Sequence, residues 1–368
     1  MFCDNASLFI VIQCGMSGIA WGETGVAKSA FFEALAKALG LKFFCFIPSQ
    51  HDPADIGGIP HVDAKKFIAR MVHLEWLHRL IDPGWMILFD ELTTAPTMMR
   101  PPLLSILNEG KVGDLRFHPS LMRVAAANPP EIAPNGSPLE PSMLNRLYHH
   151  NWEFPFDSWF KGMMNGGVFD IPANFPLVGD FSTYVPKWTR RVGYLCQRHP
   201  AIRKTTTIPE GALAFPSPRQ WHHLSLCLAG ADKVGAGGDT LNEIATGMVG
   251  APAAGMLMQS IASSDLYDPN EIVDRKVKID YASDRVDQLI YLPCGIMEVL
   301  DTDARDKKTD SSRLDNACEV LIEMSEHGLL DCVSPVLSHI TNKFSGYKMP
   351  KKLMSRYGAL VSQIGGAN

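Results

Sequence analysis

The chain has 368 residues, of which 46% are hydrophobic and 20% charged, which is typical of a folded globular protein with room for two or three domains. The formal net charge of −5 gives no overall basic surface for nucleic acid. No apolar run reaches the roughly 18 residues of a transmembrane helix, so no membrane partner is expected. The eight cysteines are scattered without a C-x-x-C pair, which favours reduced thiols in a cytoplasmic protein over disulfides or a zinc site.

Strands and helices alternate over the first part of the chain. Residues 52–72 combine turn chemistry with an alternating stretch, which predicts a loop or hairpin insert. The alternation of strands with helices over 15–155 indicates a parallel sheet in an α/β domain. The predicted strands are 17–23, 41–47, 84–91 and one ending at Asn128, and the predicted helices include 29–40, which stops at Gly40.

Beyond residue 155 the strand pattern fades and helical periodicity dominates. Helices are predicted at "FDSWFKGMM" and "PRQWHHLSLCLAGA", and a second helical block over 312–344 follows a charged loop. The aromatic-rich segment 151–160 is expected to pack these helices onto the α/β domain.

The stretch "WGETGVAKSAFF" at 21–32 is close to the phosphate-binding pattern G-x-x-x-x-G-K-[ST], with Ala27 in place of the second glycine. Backbone N–H groups of such a loop surround a phosphate, Lys28 neutralises the β- and γ-phosphates, and the Ser29 hydroxyl ligates Mg²⁺. A single match of this kind is weak, and an ordinary strand–helix turn is the alternative. The nucleotide-binding residues that it predicts are Gly22, Glu23, Thr24, Gly25, Val26, Ala27, Lys28 and Ser29.

The strand "WMILFDE" supplies the second element, because it ends in Asp90 and Glu91. An apolar strand that delivers two adjacent carboxylates to its tip is the Walker B arrangement. Asp90 is predicted to hold Mg²⁺, and Glu91 to polarise the attacking water. An acidic strand end or helix cap is a plausible alternative alone, but a poor one beside the loop at 22–29.

Three further polar residues complete the set. Asn128 ends a strand predicted to lie next to the Walker B strand, where it could orient the water near the γ-phosphate. Arg146 ends a helix just before another strand. Arg219 begins a later helix in "FPSPRQWHHL".

In this order and spacing the five elements resemble an AAA+ ATPase. The segments "GETGVAKS", "DPADIGGIP", "ILFDELTTAP", "LLSILNEGKV", "AAANPPE" and "SPRQW" resemble more narrowly the MoxR-like ATPases, which include the CbbQ and RavA groups, over roughly 15–265. The resemblance implies that Asn128 is sensor 1, that Arg146 is an arginine finger reaching a neighbour's nucleotide, and that Arg219 is sensor 2. It also implies that 52–72 begins the helix-2 insert of this clade.

The resemblance implies an AAA+ α/β core over 1–155, a helical lid over 156–265 and a helical C-terminal extension over 266–368. Proteins of this family use ATP and Mg²⁺, form rings that are usually hexamers, and act as chaperones or activators. They often work with a partner bearing a von Willebrand factor A domain, and nothing in composition or spacing shows that partner.

Ala27 bears on whether the loop works. Its position requires a small residue, often at positive φ, and alanine in the left-handed conformation costs roughly 1–2 kcal/mol. This is small against the charge-assisted bonds of a triphosphate, so the loop is interpreted as functional.

Other functions fit less well. A DNA-linked AAA+ motor of the McrB type lacks support because no basic, aromatic-interleaved module is appended. A nucleotide-regulated scaffold with little turnover is motivated only by Ala27. A GTPase is disfavoured because no N-K-x-D motif follows the Walker elements. The adjacent pairs His149-His150 and His222-His223 are expected to be packing or surface residues, since neighbouring side chains do not converge on one metal.

Overall fold

The computed structural model describes residues 5–129, 136–171, 175–262, 267–281, 286–305, 311–344 and 346–355. The chain forms two compact units. The first contains Met1–Trp188 and His199–Met258, and the second contains Thr189–Arg198 and Gln259–Asn368.

The first unit is built on a parallel sheet. Its central strands are almost completely buried, as expected when both faces of a parallel sheet are covered by helices. The described strands are β1 (Gly18–Trp21), β2 (Lys42–Phe46), β3 (Ile59–Asp63), β4 (Ile68–Val72), β5 (Trp85–Phe89), β6 (Lys111–Val112), β7 (Leu115–Arg116), β8 (Met122–Ala127) and β9 (Tyr148–Asn151).

Five of these strands form the sheet in the order β2-β5-β8-β1-β9, and every neighbouring pair is parallel. Trp21 at the end of β1 lies opposite Ala127 at the end of β8, and Phe89 of β5 lies opposite Ala125. The residues that follow these three strands therefore emerge at one edge of the sheet. The α/β class with a parallel sheet, predicted from the sequence, is confirmed.

Helices cover the sheet of the first unit. The helix over Ala6–Gln13 buries the apolar run Leu8–Ile12, and Phe9 stacks on Phe31 with ring centroids 5.5 Å apart. In chain order the helices of the first unit are α1 (Ala6–Gln13), α2 (Lys28–Ala38), α3 (Pro53–Gly57), α4 (Glu75–Arg79), α5 (Arg100–Leu104), α6 (Pro141–Leu144), α7 (Phe156–Met164), α9 (Pro218–Lys233) and α10 (Gly238–Val249). Helices α8 (Val185–Arg198) and α11 (Ala251–Ala262) each contain residues of both units, and most of α8 belongs to the second. A π-helical turn over Ser105–Glu109 continues α5.

The edge of the sheet at β9 is covered by α10. A Cβ atom added to Gly247 would lie 2.2 Å from the carbonyl oxygen of His149, so only glycine lets the helix approach this closely. The helix thus shields an edge that would otherwise be open to further strand pairing.

The antiparallel hairpin of β3 and β4 stands apart from this sheet. Of the two forms predicted for 52–72, a loop or a hairpin insert, the structure shows the hairpin. All its residues except Asp63 are exposed.

The described part of the second unit is helical, with the helices α12 (Pro269–Val273), α13 (Val286–Arg305), α14 (Ser311–Glu326) and α15 (Leu330–Lys343). Their apolar core includes Ile296, Leu321 and Val336. Burial opposes ionisation of Asp301, but hydrogen bonds from Lys343, Arg190 and His339 outweigh it and lower the pKa of Asp301 to about 2.

No helix in the described ranges is both long and apolar enough to cross a membrane.

Candidate nucleotide site

The loop between β1 and α2 has the backbone that a phosphate cradle requires. Gly25 has φ 82° and Ala27 has φ 56° and ψ 32°, so both residues are left-handed. The positive φ expected at Ala27 is therefore present. Helix α2 begins at Lys28, so its first N–H groups and the positive end of its dipole face the loop.

Lys28 is the most constrained side chain of the loop. Only 8% of it is exposed, and its ammonium group donates to the carbonyl oxygens of Gly22 and Glu23, both at 2.8 Å. It also donates to Oδ1 of Asn128 at 3.0 Å. Burial lowers the pKa of Lys28, while the Asp90 carboxylate opposes the shift. The three acceptors hold the cation at the loop.

Asn128 connects the loop to the end of β8. While its Oδ1 accepts from Lys28, its Nδ2 donates to Oγ1 of Thr24 at 3.1 Å. One amide thus bridges two residues of the loop. The sequence had placed Asn128 on a neighbouring strand, and the structure brings it into direct contact with the loop.

The two carboxylates that follow β5, Asp90 and Glu91, lie at the same edge. The Ser29 hydroxyl donates to Oδ2 of Asp90, and the backbone N–H of Glu91 donates to Oδ1 of Asp90 at 2.9 Å. Glu91 has φ 53°, which is uncommon for a residue that is not glycine, and its side chain is exposed. Asp90 therefore lies against the helix start, and Glu91 is directed away from the protein interior.

This pair of oxygen groups suits a magnesium ion. A hydroxyl and a carboxylate already in contact are ligands that Mg²⁺ uses together with nucleotide phosphates and water. The residues present therefore fit the ion that the sequence resemblance implies.

Arg146 and Arg219 lie outside this cluster. Arg146 donates to the carbonyl oxygen of Ser142 at 2.8 Å, and Arg219 is exposed in the first turn of α9. Within the described ranges, neither arginine makes a hydrogen bond or ion pair with residues 22–29, Asp90 or Asn128.

The start of α9 is nevertheless fixed beside the segment that carries Arg146. Nε2 of Gln220 donates to the carbonyl oxygen of Leu147, and Nδ2 of Asn145 donates to that of Phe215, both at 3.0 Å. The Ser217 hydroxyl caps the helix by accepting from the N–H of Gln220. The two arginines are therefore carried by segments that contact each other.

Trp152 is a contact to the loop that the sequence did not reveal. Its indole Nε1 donates to the carbonyl oxygen of Val26 at 3.2 Å, and a Cβ on Gly22 would lie 3.1 Å from the Cβ of Trp152. Its ring also packs edge-on against Phe31. The packing predicted for 151–160 is wrong in part: Trp152 packs on the loop and α2, whereas Phe154, Phe156 and Phe160 are exposed by 38%, 55% and 49%.

The histidine pair on β9 has a packing role, as expected. His149 accepts from the indole N–H of Trp21 at 3.0 Å, and His150 bonds to Oδ1 of Asn5 at 2.8 Å. Burial lowers the pKa of each to about 4, so both are neutral near pH 7. Neither belongs to the loop cluster.

A cavity of about 470 Å³ lies between β9 and α10, within the size range of small-molecule sites. Asn5, His150, Glu153, Asn242 and Thr246 line it. Glu153 directly follows Trp152. The cavity therefore adjoins the strand that leads to Trp152, and no residue of the loop lines it.

Comparison with known proteins gives little beyond the fold. No family model matches the chain, and no curated protein does. Among solved structures, the chain is similar to a candidate ATPase from Cytophaga hutchinsonii ATCC 33406, with a TM-score of 0.42 and 15% identity over 66% of this chain and 79% of that one. A likeness this distant does not indicate what this chain binds.

Proposed function

We propose that the chain is an ATP-hydrolysing, ring-forming AAA+ protein of the MoxR type that remodels a protein partner. The observation that carries the ATPase proposal is the meeting of three strand ends: Lys28 and Thr24 both contact Asn128, and Ser29 contacts Asp90. A chance loop match would not place these residue types together, since they come from three separate segments.

The loop and Lys28 have the first role in this reaction. The ammonium group of Lys28, which bonds to two loop carbonyls, exchanges these for phosphate oxygens when ATP binds. The left-handed Gly25 and Ala27 turn the backbone so that N–H groups face the phosphates. Trp152 holds the loop in this shape through the carbonyl oxygen of Val26.

Ser29 and Asp90 would hold Mg²⁺, which would neutralise charge on the phosphates. Glu91 accepts a proton from the attacking water, and its exposed carboxylate is free to reach the solvent side of the phosphate. Asn128 orients that water with the amide that now bridges Thr24 and Lys28. Each step uses a residue at the shared sheet edge.

Binding is tested by replacing Lys28 with alanine. Lys28→Ala should weaken ATP binding by at least about tenfold, because a charge-assisted contact of about 1.5–3 kcal/mol is lost. Lys37→Ala is the matched control, since Lys37 lies exposed on the same helix. The measurement is calorimetric titration with ATP and Mg²⁺. Equal affinity in wild type and Lys28→Ala would remove the basis of the proposal.

The ring proposal follows from the position of Arg146. Its guanidinium makes no hydrogen bond or ion pair with the loop residues that the structure describes, as expected of a finger that serves a neighbouring subunit. We propose a homo-oligomer, a hexamer by family resemblance. Arg219, on the segment beside Arg146, is proposed to read the nucleotide from the lid, which we assign to 156–265 after a core over 1–155.

A partner with a von Willebrand factor A domain remains a proposal from family resemblance. The McrB-type DNA motor is the second candidate, but no observation here favours it. Salt-dependent binding of DNA by the full chain would revive it.

A further inference from the structure

The hairpin of β3 and β4 buries almost nothing within its own chain. Its large apolar side chains are exposed by 60% at Ile59, 67% at Val62, 51% at Met71 and 56% at Val72. A two-stranded hairpin alone is marginally stable in water, and contiguous exposed apolar surface marks a site of interaction. The hairpin therefore has the properties of a surface that another polypeptide covers.

The tip of the hairpin points to the same conclusion. Phe67 is 94% exposed and has φ 53°, a left-handed conformation that a bulky residue rarely adopts. No aromatic contact to Phe67 is present in the part of the chain that the structure describes. A strained aromatic that packs on nothing has no stabilising role in this fold, and such strain is common at binding elements.

The register shows which edge of the hairpin is open. Pro60 lies opposite Met71, and proline has no N–H, so this pair cannot be one that exchanges two hydrogen bonds. Bonded and non-bonded pairs alternate, which makes Val62 and Ala69 the next non-bonded pair. Ala69 and Met71 therefore direct their N–H and C=O groups outward from β4. On β3, Pro60 faces outward but has no N–H to donate, so the edge of β4 is better suited to pair with an added strand.

The charged residues of the two strands lie on one face of the hairpin only. Directly opposed residues share a face, so Pro60, Val62, Ala69 and Met71 form one apolar face. The other face carries His61 and Arg70 between the apolar pair Ile59 and Val72 on one side and the pair Asp63 and Ile68 on the other. Lys65 and Lys66 follow in the turn, where Oδ1 of Asp63 is engaged by their backbone N–H groups at 3.1 and 3.3 Å.

These basic groups are unneutralised within the chain. Among the described residues, Lys65, Lys66 and Arg70 make no ion pair. A strand added beside β4 would thus meet an apolar face on one side and, on the other, Arg70 between Ile68 and Val72 with the turn lysines beyond. With a side-chain period of two, a segment that alternates apolar residues with glutamates places apolar side chains on the first face and carboxylates toward Arg70 and the lysines on the second.

We propose that the edge of β4 binds an extended polypeptide segment with alternating apolar and acidic residues, which adds as a third strand and packs against Phe67. This inference rests on the proposed remodelling function, because the bound segment would belong to the protein partner that is remodelled. Main-chain bonds to Ala69 and Met71 supply affinity, and Arg70 with the turn lysines supplies the preference for acidic segments. Aliphatic side chains and one aromatic suit a polypeptide better than single-stranded nucleic acid, which requires several stacking rings.

The register offers a matched pair of variants. Met71→Pro removes an outward N–H from β4, whereas Val62→Pro removes an outward N–H from β3, and both positions are non-bonded within the hairpin. The probe is a short fluorescein-labelled peptide in which valine and glutamate alternate, titrated with the full-length chain and followed by anisotropy. We expect Met71→Pro to weaken binding at least about tenfold and Val62→Pro to change it by less than about twofold.

Charge is tested in the same assay. Arg70→Glu should also weaken binding, and a peptide alternating valine and lysine should not bind. Equal binding by Met71→Pro and wild type, or equal loss in both proline variants, would overturn the edge assignment. Binding of a labelled oligothymidine in preference to the peptide would overturn it in favour of nucleic acid. Oligomers that wild type forms and Met71→Pro loses would assign the edge to a second copy.

The outcome can be separated from that of the ATPase proposal. Peptide binding is measured without nucleotide, and phosphate release is measured on every variant. Both proline variants should keep basal phosphate release, because neither residue contacts the nucleotide loop. Absence of phosphate release in wild type would defeat the ATPase proposal while the peptide titration still decides about the hairpin.

Discussion

We call the candidate site at the ends of β1, β5 and β8, with Lys28, Asp90 and Asn128, the nucleotide edge. This edge and the hairpin of β3 and β4, both in the first unit, use polar and apolar groups in opposite ways. At the nucleotide edge, Lys28 donates to Asn128, Ser29 donates to Asp90, and Trp152 packs on the loop. In the hairpin, Phe67 and Met71 are exposed and pack on little else. Chemistry that one chain performs is pre-organised by its own contacts, whereas a surface meant for another molecule leaves its contacts unmade.

Variants of Arg146, the proposed arginine finger, test whether the nucleotide edge needs a residue from a neighbouring subunit. Arg146→Ala and Lys28→Ala chains should each be inactive alone, since an arginine finger contributes about 10³–10⁵ to turnover. Mixing them should restore phosphate release, because some interfaces then pair an intact Arg146 with an intact Lys28. Phosphate release is measured on mixtures whose joint assembly is verified by native mass measurement.

Arg116→Ala is the control for that experiment, because Arg116 is an exposed arginine that is not assigned to the site. Arg116→Ala should be active alone. Mixing it with the inactive Lys28→Ala chain should give no more phosphate release than the amount of Arg116→Ala in the mixture accounts for. If Arg146→Ala and Lys28→Ala assemble together and still release no phosphate, Arg146 does not act across subunits.

The backbone of the loop gives a smaller effect. Ala27 has φ 56°, which a β-branched side chain cannot adopt cheaply. Ala27→Val should therefore weaken ATP binding well beyond about tenfold, or ~1.4 kcal/mol. Ala27→Gly should stay within that limit, because relief of strain is opposed by the greater entropy of the empty loop.

Calorimetric titration of the three proteins with ATP measures this directly. If Ala27→Val binds ATP as tightly as wild type does, residue 27 does not line the phosphate cradle. The sequence interpretation of the loop would then be wrong despite its contacts.

The hairpin tip should give the smallest effect on stability. Phe67→Gly removes an exposed side chain with φ 53°, so it should leave the free energy of unfolding unchanged or raise it by up to about 1 kcal/mol. Urea unfolding measures the change, and Phe89→Gly, at a fully buried aromatic of β5, is the contrasting control. A loss above about 2 kcal/mol in Phe67→Gly would show that the tip packs within the chain, and the contrast would fail.

Much of the nucleotide edge could be predicted because each of its residues follows a strand. Parallel strands end at one edge, so Lys28, Asp90 and Asn128 had to emerge near each other once the strands were recognised. Trp152 could not be found this way. It contacts Val26 from a distant part of the chain, and a tryptophan in an aromatic-rich segment has no pattern that names its partner.

The hairpin shows the opposite limit of sequence reasoning. Alternation predicted a hairpin in 52–72, but apolar residues such as Val62 and Met71 would ordinarily predict burial. Their exposure depends on what packs above them, which local periodicity does not specify. Arg146 and Arg219 are a similar case, because neither bonds to the described loop residues and local sequence does not specify what each side chain reaches.

The central claim is that this sheet edge hydrolyses ATP, and Glu91→Gln tests it most directly. The variant should bind ATP as wild type does and lose phosphate release by about 10²–10⁴, the usual contribution of a general acid or base. Glu33→Gln, at an exposed glutamate of α2, should keep both binding and turnover. Near-normal phosphate release by Glu91→Gln would contradict the account.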